Sequence, residues 1–140
     1  MEVVLTSDVA EIDWDQLALV FKRAPLGDRD PTILRQVFTN SGVRCFAWID
    51  QEIVAAGRAI TDGVRYAAIF DVVVLPEYQN KGIGKQIMDY LIAHSGAENV
   101  LLHSMPGKEG YYSRLGFRKM KTAMARFKNP EIQQERGYIE

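Results

Sequence analysis

The sequence has a single cysteine, no long apolar run and almost no excess of charge of either sign. Cys45 cannot form an internal disulfide, and its place in the apolar run Cys45–Trp48 indicates a buried, unreactive thiol. No apolar run approaches the roughly 20 residues that cross a bilayer. The first residues also lack the basic and apolar segments of a signal peptide, so we expect a soluble, cytoplasmic protein with no membrane partner.

The balance of charge excludes a general nucleic-acid-binding surface. There are 17 Lys and Arg against 18 Asp and Glu, which leaves a net charge of −1, whereas nucleic-acid binding calls for a basic patch or stripe. An apolar fraction of 47% over 140 residues supports one hydrophobic core. We therefore expect a single domain, residues 1–140, in which the polar stretch 129–140 forms a loosely attached tail.

Apolar periodicity predicts the order β, α, α, three strands, α, β, α, β. Two acidic caps indicate helix starts: Asp13, followed three residues on by Gln16, and Asp30, followed by Pro31. The third of the three consecutive strands is almost wholly apolar, which predicts a central strand covered on both faces. The strands are predicted at Val3–Thr6, Val43–Ile49, Ile53–Thr61, Tyr66–Leu75, Asn99–His103 and from Phe117; the best helix is predicted at Lys81–Ser95, and a short one ends at Leu115–Gly116.

A glycine-containing loop, Gln79–Gly84, connects the most apolar strand to the best helix. Glycine at a helix start costs roughly 0.5–1 kcal/mol relative to alanine, so a ligand that approaches the backbone closely would explain it. A Walker-type phosphate loop is excluded, because Gly84-Lys85 is followed by Gln86 instead of Ser or Thr. The dinucleotide fingerprint is excluded as well, because its third glycine is absent.

The loop Gln79-Asn80-Lys81-Gly82-Ile83-Gly84 matches a third pattern, Gln/Arg-x-x-Gly-x-Gly/Ala. Together with Val72–Val74 before it and the segment YYSRLGF (111–117) after it, the sequence resembles the GNAT superfamily of acetyl-CoA-dependent N-acetyltransferases. The resemblance covers residues 1 to about 128, because the order of elements agrees too. It implies an α+β fold of the three-layer type: a mixed, mostly antiparallel central sheet with a splayed strand pair, flanked by helices on both faces.

The resemblance implies acetyl-CoA as the donor cosubstrate and no metal ion. Unpaired N–H groups at a helix start, beside the positive end of the helix dipole, bind a pyrophosphate when glycine permits a close approach. Lys81 and Lys85 either add charge there or are ordinary solvated residues. The strand at Val72–Val74 is implied to splay from its neighbour and to pair its backbone with the pantetheine arm. The implied donor-binding residues are Val72, Val73, Val74, Gln79, Asn80, Lys81, Gly82, Ile83, Gly84 and Lys85.

Tyr112 is implied to be the general acid. It lies four residues before Gly116, in the position of the tyrosine that family members place beside the coenzyme sulfur. An unperturbed tyrosine pKa of about 10 keeps the hydroxyl protonated and able to donate. The alternative is that Tyr112, like its neighbour Tyr111, is a packing aromatic on a short helix.

The central strand departs from the family pattern for a general base, which disfavours a dedicated base there. Family members with such a base often carry Glu or His there, but Ala68 and Phe70, on the expected face, accept no proton. Strand alternation predicts that Asp71 lies on the opposite face from Phe70, which favours a structural role. His103, at the end of the next strand, is a weak candidate for the general base. The working hypothesis is a base that acts through water, or an amine that enters already neutral.

The acceptor is implied to be a primary amine of a small molecule or of a lysine side chain. In the family the segment between the first two helices borders the acceptor pocket, so Asp28 could attract a cationic amine, and Phe70 could line an apolar wall. The leading hypothesis is an N-acetyltransferase. Two alternatives stay open: a non-catalytic acyl-CoA-binding regulatory module of the same fold, and an interaction domain that acts as a homodimer.

Overall fold

The computed structural model describes residues 2–140. They divide into two compact units, one that ends at Leu102 and one that runs from His103 to Glu140. No helix in the described part of the chain is long and apolar enough to span a membrane.

The first unit is built around a five-stranded sheet in the order β1-β2-β3-β4-β5. The first four strands pair antiparallel with their neighbours, and β4 pairs parallel with β5. This confirms the expected mixed, mostly antiparallel sheet. The strands are β1 (Val4–Thr6), β2 (Val43–Ile49), β3 (Glu52–Thr61), β4 (Tyr66–Val74) and β5 (Asn99–Leu101); the helices are α1 (Trp14–Arg23), α2 (Pro31–Asn40) and α3 (Ile83–Ser95).

Both predicted acidic caps are present. The Asp13 carboxylate accepts hydrogen bonds from the backbone N–H groups of Asp15 and Gln16, at the start of α1. The Asp30 carboxylate accepts from the Thr32 N–H at 2.8 Å, and Pro31 is the first residue of α2. Each carboxylate satisfies donors that have no partner within the helix.

Helices cover both faces of the sheet. On one face, the Phe46 ring of β2 lies 5.5 Å from the Phe38 ring of α2. Phe46 pairs with Ala56 of β3, so the next residue, Gly57, points to the other face. A β-carbon on Gly57 would lie 2.7 Å from Ile87 Cγ2 of α3. The absence of a side chain at Gly57 therefore lets α3 pack directly against the sheet.

Strand β4 contains a bulge, which makes the predicted orientation of Asp71 wrong. Asp71 and Val72 lie opposite the single residue Gly57 of β3, and Asp71 has a left-handed backbone with φ 56°. Arg58 contacts both Asp71, at 2.7 Å from Nε to Oδ2, and the Phe70 ring, at 5.2 Å from its centroid. Because the extra residue interrupts the alternation of the strand, Asp71 and Phe70 lie on the same face.

The prediction that β4 is covered on both faces is also wrong. Ala67, Ile69 and Val73 are buried, but Ala68 and Phe70 are only half-buried. Ala68 and Phe70 lie on the same face of the sheet as Arg58. On this face α1 and α2 cover the end of the sheet near Phe46 and leave the end near Ala68 open. The apolar composition of β4 does not distinguish a strand that helices cover on both faces from one that is open at one end of a face.

Cys45 is buried, as predicted. Its side chain in β2 has 0% exposure. Burial raises the pKa of the thiol to about 12, since a thiolate would be poorly solvated there. The thiol is therefore protonated and inaccessible in the folded protein.

The second unit contains two short helices, α4 (Glu109–Arg114) and α5 (Pro130–Glu135). The predicted last strand from Phe117 is wrong: residues 117–128 form neither helix nor strand. Nearly all of these side chains are exposed, and an extended segment becomes a strand only when a neighbour pairs with its backbone. Part of the predicted tail is ordered instead, with the Tyr138 ring 5.8 Å from the His103 ring in an edge-on contact.

Candidate functional site

Strands β4 and β5 separate soon after they pair. Their last paired residues are Ala68 and Leu101, while β4 continues to Val74. Val72–Val74 thus lie beyond the last β5 partner on this edge, in agreement with the expected splayed pair. The Val74 carbonyl accepts a hydrogen bond from Gln79 Nε2 at 3.0 Å, so the loop after the strand supplies a partner at its end.

The loop before α3 leaves the start of that helix open. Asn80 and Gly82 both have left-handed backbones, with φ 63° and 82°, on either side of Lys81. Gly82 caps the helix without a side-chain hydrogen bond, and the helix begins at Ile83 instead of at Lys81 as predicted. A β-carbon on Gly82 would have no atom within 4 Å. The first turn of α3 thus has no side-chain cap and open space beside Gly82, an arrangement that suits the approach of a phosphate group to its N–H groups.

The two lysines of this region have different surroundings. Lys81 Nζ lies 5.8 Å from the centroid of the Tyr78 ring. Lys85 Nζ pairs with Asp89 Oδ2 at 2.6 Å, and both side chains are more than half exposed. Because exposed pairs of this kind are weak, Lys85 can exchange its partner for an anionic ligand at little cost.

The Asp71 carboxylate forms two ion pairs. Oδ1 accepts a hydrogen bond from Arg29 Nη1 at 3.0 Å, and Oδ2 accepts one from Arg58 Nε at 2.7 Å. Burial by itself raises the pKa of Asp71, but the hydrogen bonds and charges of Arg58 and Arg29 together lower it. A carboxylate with a lowered pKa and two cationic partners is a poor proton acceptor. Asp71 therefore acts as a structural link between the bulge of β4 and Arg29, in the connection between α1 and α2.

Replacing Asp71 with Asn should lower the free energy of unfolding at pH 7 by about 2–3 kcal/mol, since two charge-assisted hydrogen bonds are weakened. Because the pKa of Asp71 is lowered in the folded state, its contribution is present above about pH 4 and is lost as the pH falls through that lowered pKa. The difference between wild type and Asp71→Asn should therefore shrink below about pH 4. Urea denaturation of both proteins at pH 7 and below about pH 4 measures this difference in the free energy of unfolding.

Asp89→Asn is the matched control for this experiment. It removes a carboxylate from an exposed pair whose side chains are 60% and 62% exposed, so it should cost less than about 0.5 kcal/mol. Equal losses for the two variants would show that Asp71 contributes no more than a surface charge.

Tyr112 lies in α4 of the second unit. Its ring makes edge-on contacts with Tyr111, at 5.1 Å between centroids, and with Phe117, at 6.1 Å. Burial, and secondarily the neighbouring Tyr111, raise the pKa of its hydroxyl. The hydroxyl is therefore protonated at neutral pH, which is the state that a proton donor requires.

The predicted acceptor residues lie in different settings. Asp28 is exposed in the connection between α1 and α2, and Phe70 is half-buried under the guanidinium of Arg58. Sequence reasoning missed Arg58, which joins Asp71 to this face. The signal was available, because Arg58 is the one basic residue in the otherwise apolar interior of β3.

A family model described as the acetyltransferase (GNAT) domain matches residues 41–119. The chain is 35% identical over 113 residues to GCN5-related N-acetyltransferase 1, chloroplastic, of Arabidopsis thaliana, and 34% identical over 116 residues to serotonin N-acetyltransferase 2, chloroplastic, of Oryza sativa subsp. japonica. Each match covers 76% of this chain and 56% of the relative. The chain thus spans about half the length of these curated relatives. Both relatives are named as chloroplastic proteins, and the cytoplasmic location of this chain stays a prediction.

Solved structures agree in fold. A GNAT family acetyltransferase from Streptococcus pneumoniae superposes with a TM-score of 0.74 at 21% identity, over 91% of this chain and 100% of that one. At this identity the likeness concerns the fold alone. The family model is more specific, since it covers more than half of the chain and includes the loop before α3 and the segment of Tyr112. This chain belongs to the GNAT family of acetyltransferases.

Proposed function

We propose that this chain transfers an acetyl group from acetyl-CoA to a primary amine of a small molecule or of a lysine side chain. The observation that carries the proposal is the open start of α3, where Asn80 and Gly82 adopt left-handed conformations and nothing lies in front of Gly82. Left-handed residues within a turn can direct backbone N–H groups toward an anion. Membership of the GNAT family supports coenzyme A as the source of that anion.

The donor would be held by two parts of one continuous segment. The loop Gln79–Gly82 and the first turn of α3, Ile83, Gly84 and Lys85, would bind the pyrophosphate. The free edge at Val72–Val74 would pair with the amides of the pantetheine arm, since that edge extends past the last β5 partner. When bound, the donor supplies an acetyl thioester, which reacts with an amine nucleophile.

In the proposed reaction the amine nitrogen forms a bond to the acetyl carbonyl carbon as the carbon–sulfur bond breaks. An alkylamine with a pKa near 10 must first lose a proton, at a cost of roughly 4 kcal/mol at pH 7. Asp71 is a poor base because Arg29 and Arg58 lower its pKa. We therefore propose that the proton leaves through water. Tyr112, protonated because its pKa is raised, would give a proton to the departing thiolate, and the proton that the attacking nitrogen loses as the amide forms would return through water to the Tyr112 oxygen.

A panel of acceptors tests the proposed activity. Acetyl-CoA is incubated with the protein and with arylalkylamines, polyamines, amino sugars and lysine peptides, and products are detected by mass. Serotonin is included because the rice relative is named for it. We expect a mass gain of one acetyl group in at least one class. If acetyl-CoA binds and no acceptor is acetylated, the function is instead that of a non-catalytic acyl-CoA-binding module.

A further inference from the structure

The charges of this chain are separated along its length, which the net charge of −1 conceals. Residues 1–102 contain 14 Asp and Glu against nine Lys and Arg, whereas residues 103–140 contain four against eight. Two stretches contribute most to this separation. Residues 2–15, the acidic segment, carry five carboxylates and no Lys or Arg; residues 118–128, the basic segment, carry five Lys and Arg and no carboxylate. The formal charges of the two segments are therefore equal and opposite.

The cations of the basic segment are exposed and unpaired. They are Arg118, Lys119, Lys121, Arg126 and Lys128. In the part of the chain that the structure describes, the ion pairs all involve other residues. Met124, in the middle of the segment, is 97% exposed. Because neighbouring like charges repel one another, carboxylates from a partner would stabilise this segment.

The backbone of the basic segment also lacks partners. Within the described residues 2–140, no hydrogen bond between backbone groups involves residues 118–128. Residues 123–127 are free of helix, turn and bend, which leaves five consecutive residues able to pair with a strand. An unpaired stretch of this kind can add to the exposed edge of a sheet through backbone hydrogen bonds.

The acidic segment contains such an edge. Strand β1 lies within it, stands first in the order of the sheet and pairs with β2 on one side. On its other side β1 has no neighbouring strand among the described residues, so the backbone groups that point there are unpaired. The carboxylates of Glu2 and Glu11, on either side of β1 in the sequence, are exposed and form no ion pair within residues 2–140.

Charge and backbone together favour one partner for the basic segment. Two basic segments side by side would repel, since like charges on adjacent strands destabilise a sheet. A nucleic acid or an anionic membrane would neutralise the cations but offers no strand edge to the backbone. The acidic segment of a second copy supplies both carboxylates and an unpaired strand. Pairing would also remove apolar surface from water at Met124 and at Val4, which is 47% exposed.

We propose that residues 123–127 of one copy add as a strand to the β1 edge of a second copy, with the basic segment of the first beside the acidic segment of the second. The second copy returns the same contact, so the dimer is symmetric and closed. This inference goes beyond the proposed acetyl transfer and does not depend on it, because neither segment includes Tyr112 or the loop before α3.

Sedimentation equilibrium tests the dimer and its dependence on charge. Wild type at about 100 μM should be a dimer in about 50 mM NaCl. Its dissociation constant should rise about tenfold or more in 500 mM NaCl, because salt screens exposed charges. A wild type that stays monomeric in low salt would overturn the inference. Binding of that monomer to an oligonucleotide or to phosphatidylserine vesicles would then assign the basic segment to an anionic partner.

A charge exchange identifies the two segments as each other's partners. Lys121→Glu/Arg126→Glu places acidic charge in the basic segment, and Glu2→Lys/Glu11→Lys places basic charge in the acidic segment. Each variant alone should be monomeric, and an equal mixture of the two should form a dimer, because both contacts of the mixed pair again join opposite charges. Recovery on mixing also shows that both variants are folded.

The matched control is Lys108→Glu/Arg136→Glu, which reverses two exposed cations of the second unit outside the basic segment. It should remain a dimer. Dissociation of the control to the same extent as Lys121→Glu/Arg126→Glu would show an effect of net charge alone and overturn the inference. A dimeric Lys121→Glu/Arg126→Glu variant, or a mixture that stays monomeric, would overturn it as well.

Amide hydrogen exchange tests the added strand. Exchange of residues 123–127 and of β1 should be at least tenfold slower in the mixed dimer than in either variant alone, because the edge backbone groups become paired. Exchange in α5 should be unchanged on mixing. A mixed dimer without slower exchange at β1 would be held by charge alone, and the proposed strand addition would be wrong.

Discussion

Replacing Tyr112 with phenylalanine is expected to lower kcat by about 10²–10⁴-fold, the usual contribution of a positioned general acid. The ring and its contacts with Tyr111 and Phe117 are retained in the variant, so the fold of α4 should survive. Binding of acetyl-CoA should be little changed, because the proposed phosphate and pantetheine contacts lie elsewhere in the chain. Steady-state kinetics with a good amine, together with calorimetric binding of acetyl-CoA, measure the two quantities.

Tyr111→Phe is the control, since it removes the neighbouring hydroxyl from the same helix. It should reduce kcat by much less. The pH dependence gives a further check: kcat/KM should rise with pH as the amine loses its proton, and it should fall only above the raised pKa of Tyr112. Full activity of the Tyr112→Phe variant would exclude Tyr112 as the general acid.

Replacing Gly82 with tryptophan should abolish the stabilisation that acetyl-CoA gives. For wild type, ligand at 100 times its Kd adds about 2.7 kcal/mol, a rise in Tm of roughly 5–15 °C. At Gly82 a side chain would occupy the open space in front of the first turn of α3, where the phosphates are proposed to bind. The Tm of the variant should therefore be the same with and without acetyl-CoA in a thermal-shift experiment.

Gly63→Trp separates this effect from backbone strain. Gly63 also has a left-handed backbone, with φ 78°, and nothing lies within 4 Å of its missing β-carbon. Both variants should lose about 1–2 kcal/mol of stability, because a side chain is disfavoured in that conformation. Only Gly82→Trp should lose the response to acetyl-CoA. A normal response in Gly82→Trp would contradict the assignment of the loop.

Local chemistry explains which elements the sequence predicts well. Strand β2 has the predicted bounds, Val43–Ile49, and the caps at Asp13 and Asp30 mark helix starts within a residue. Each of these signals is contained in a short stretch: an alternation of side chains, or a carboxylate beside unpaired N–H groups. The loop before α3 was located in the same way, from the spacing of its glycines.

Features that depend on distant partners were not predictable from local pattern. The bulge at Asp71 requires Gly57 opposite and two arginines to hold the carboxylate, and those arginines come from β3 and from the connection before α2. A period of two assumes an unbroken ladder, so it placed Asp71 on the wrong face. The strand predicted from Phe117 is wrong for a related reason, because a strand needs a backbone partner and residues 117–128 form none.

The buried thiol of Cys45 has a use in the laboratory. Cys45 pairs with Gly57 and so lies on the face of the sheet that α3 covers, where its side chain has 0% exposure, and an alkylating reagent reaches it only after α3 separates from the sheet. When reclosing outpaces labelling, the rate of alkylation is proportional to the population of open molecules. The chain thus carries a reporter of its own rare opening events, readable by mass in the absence of denaturant.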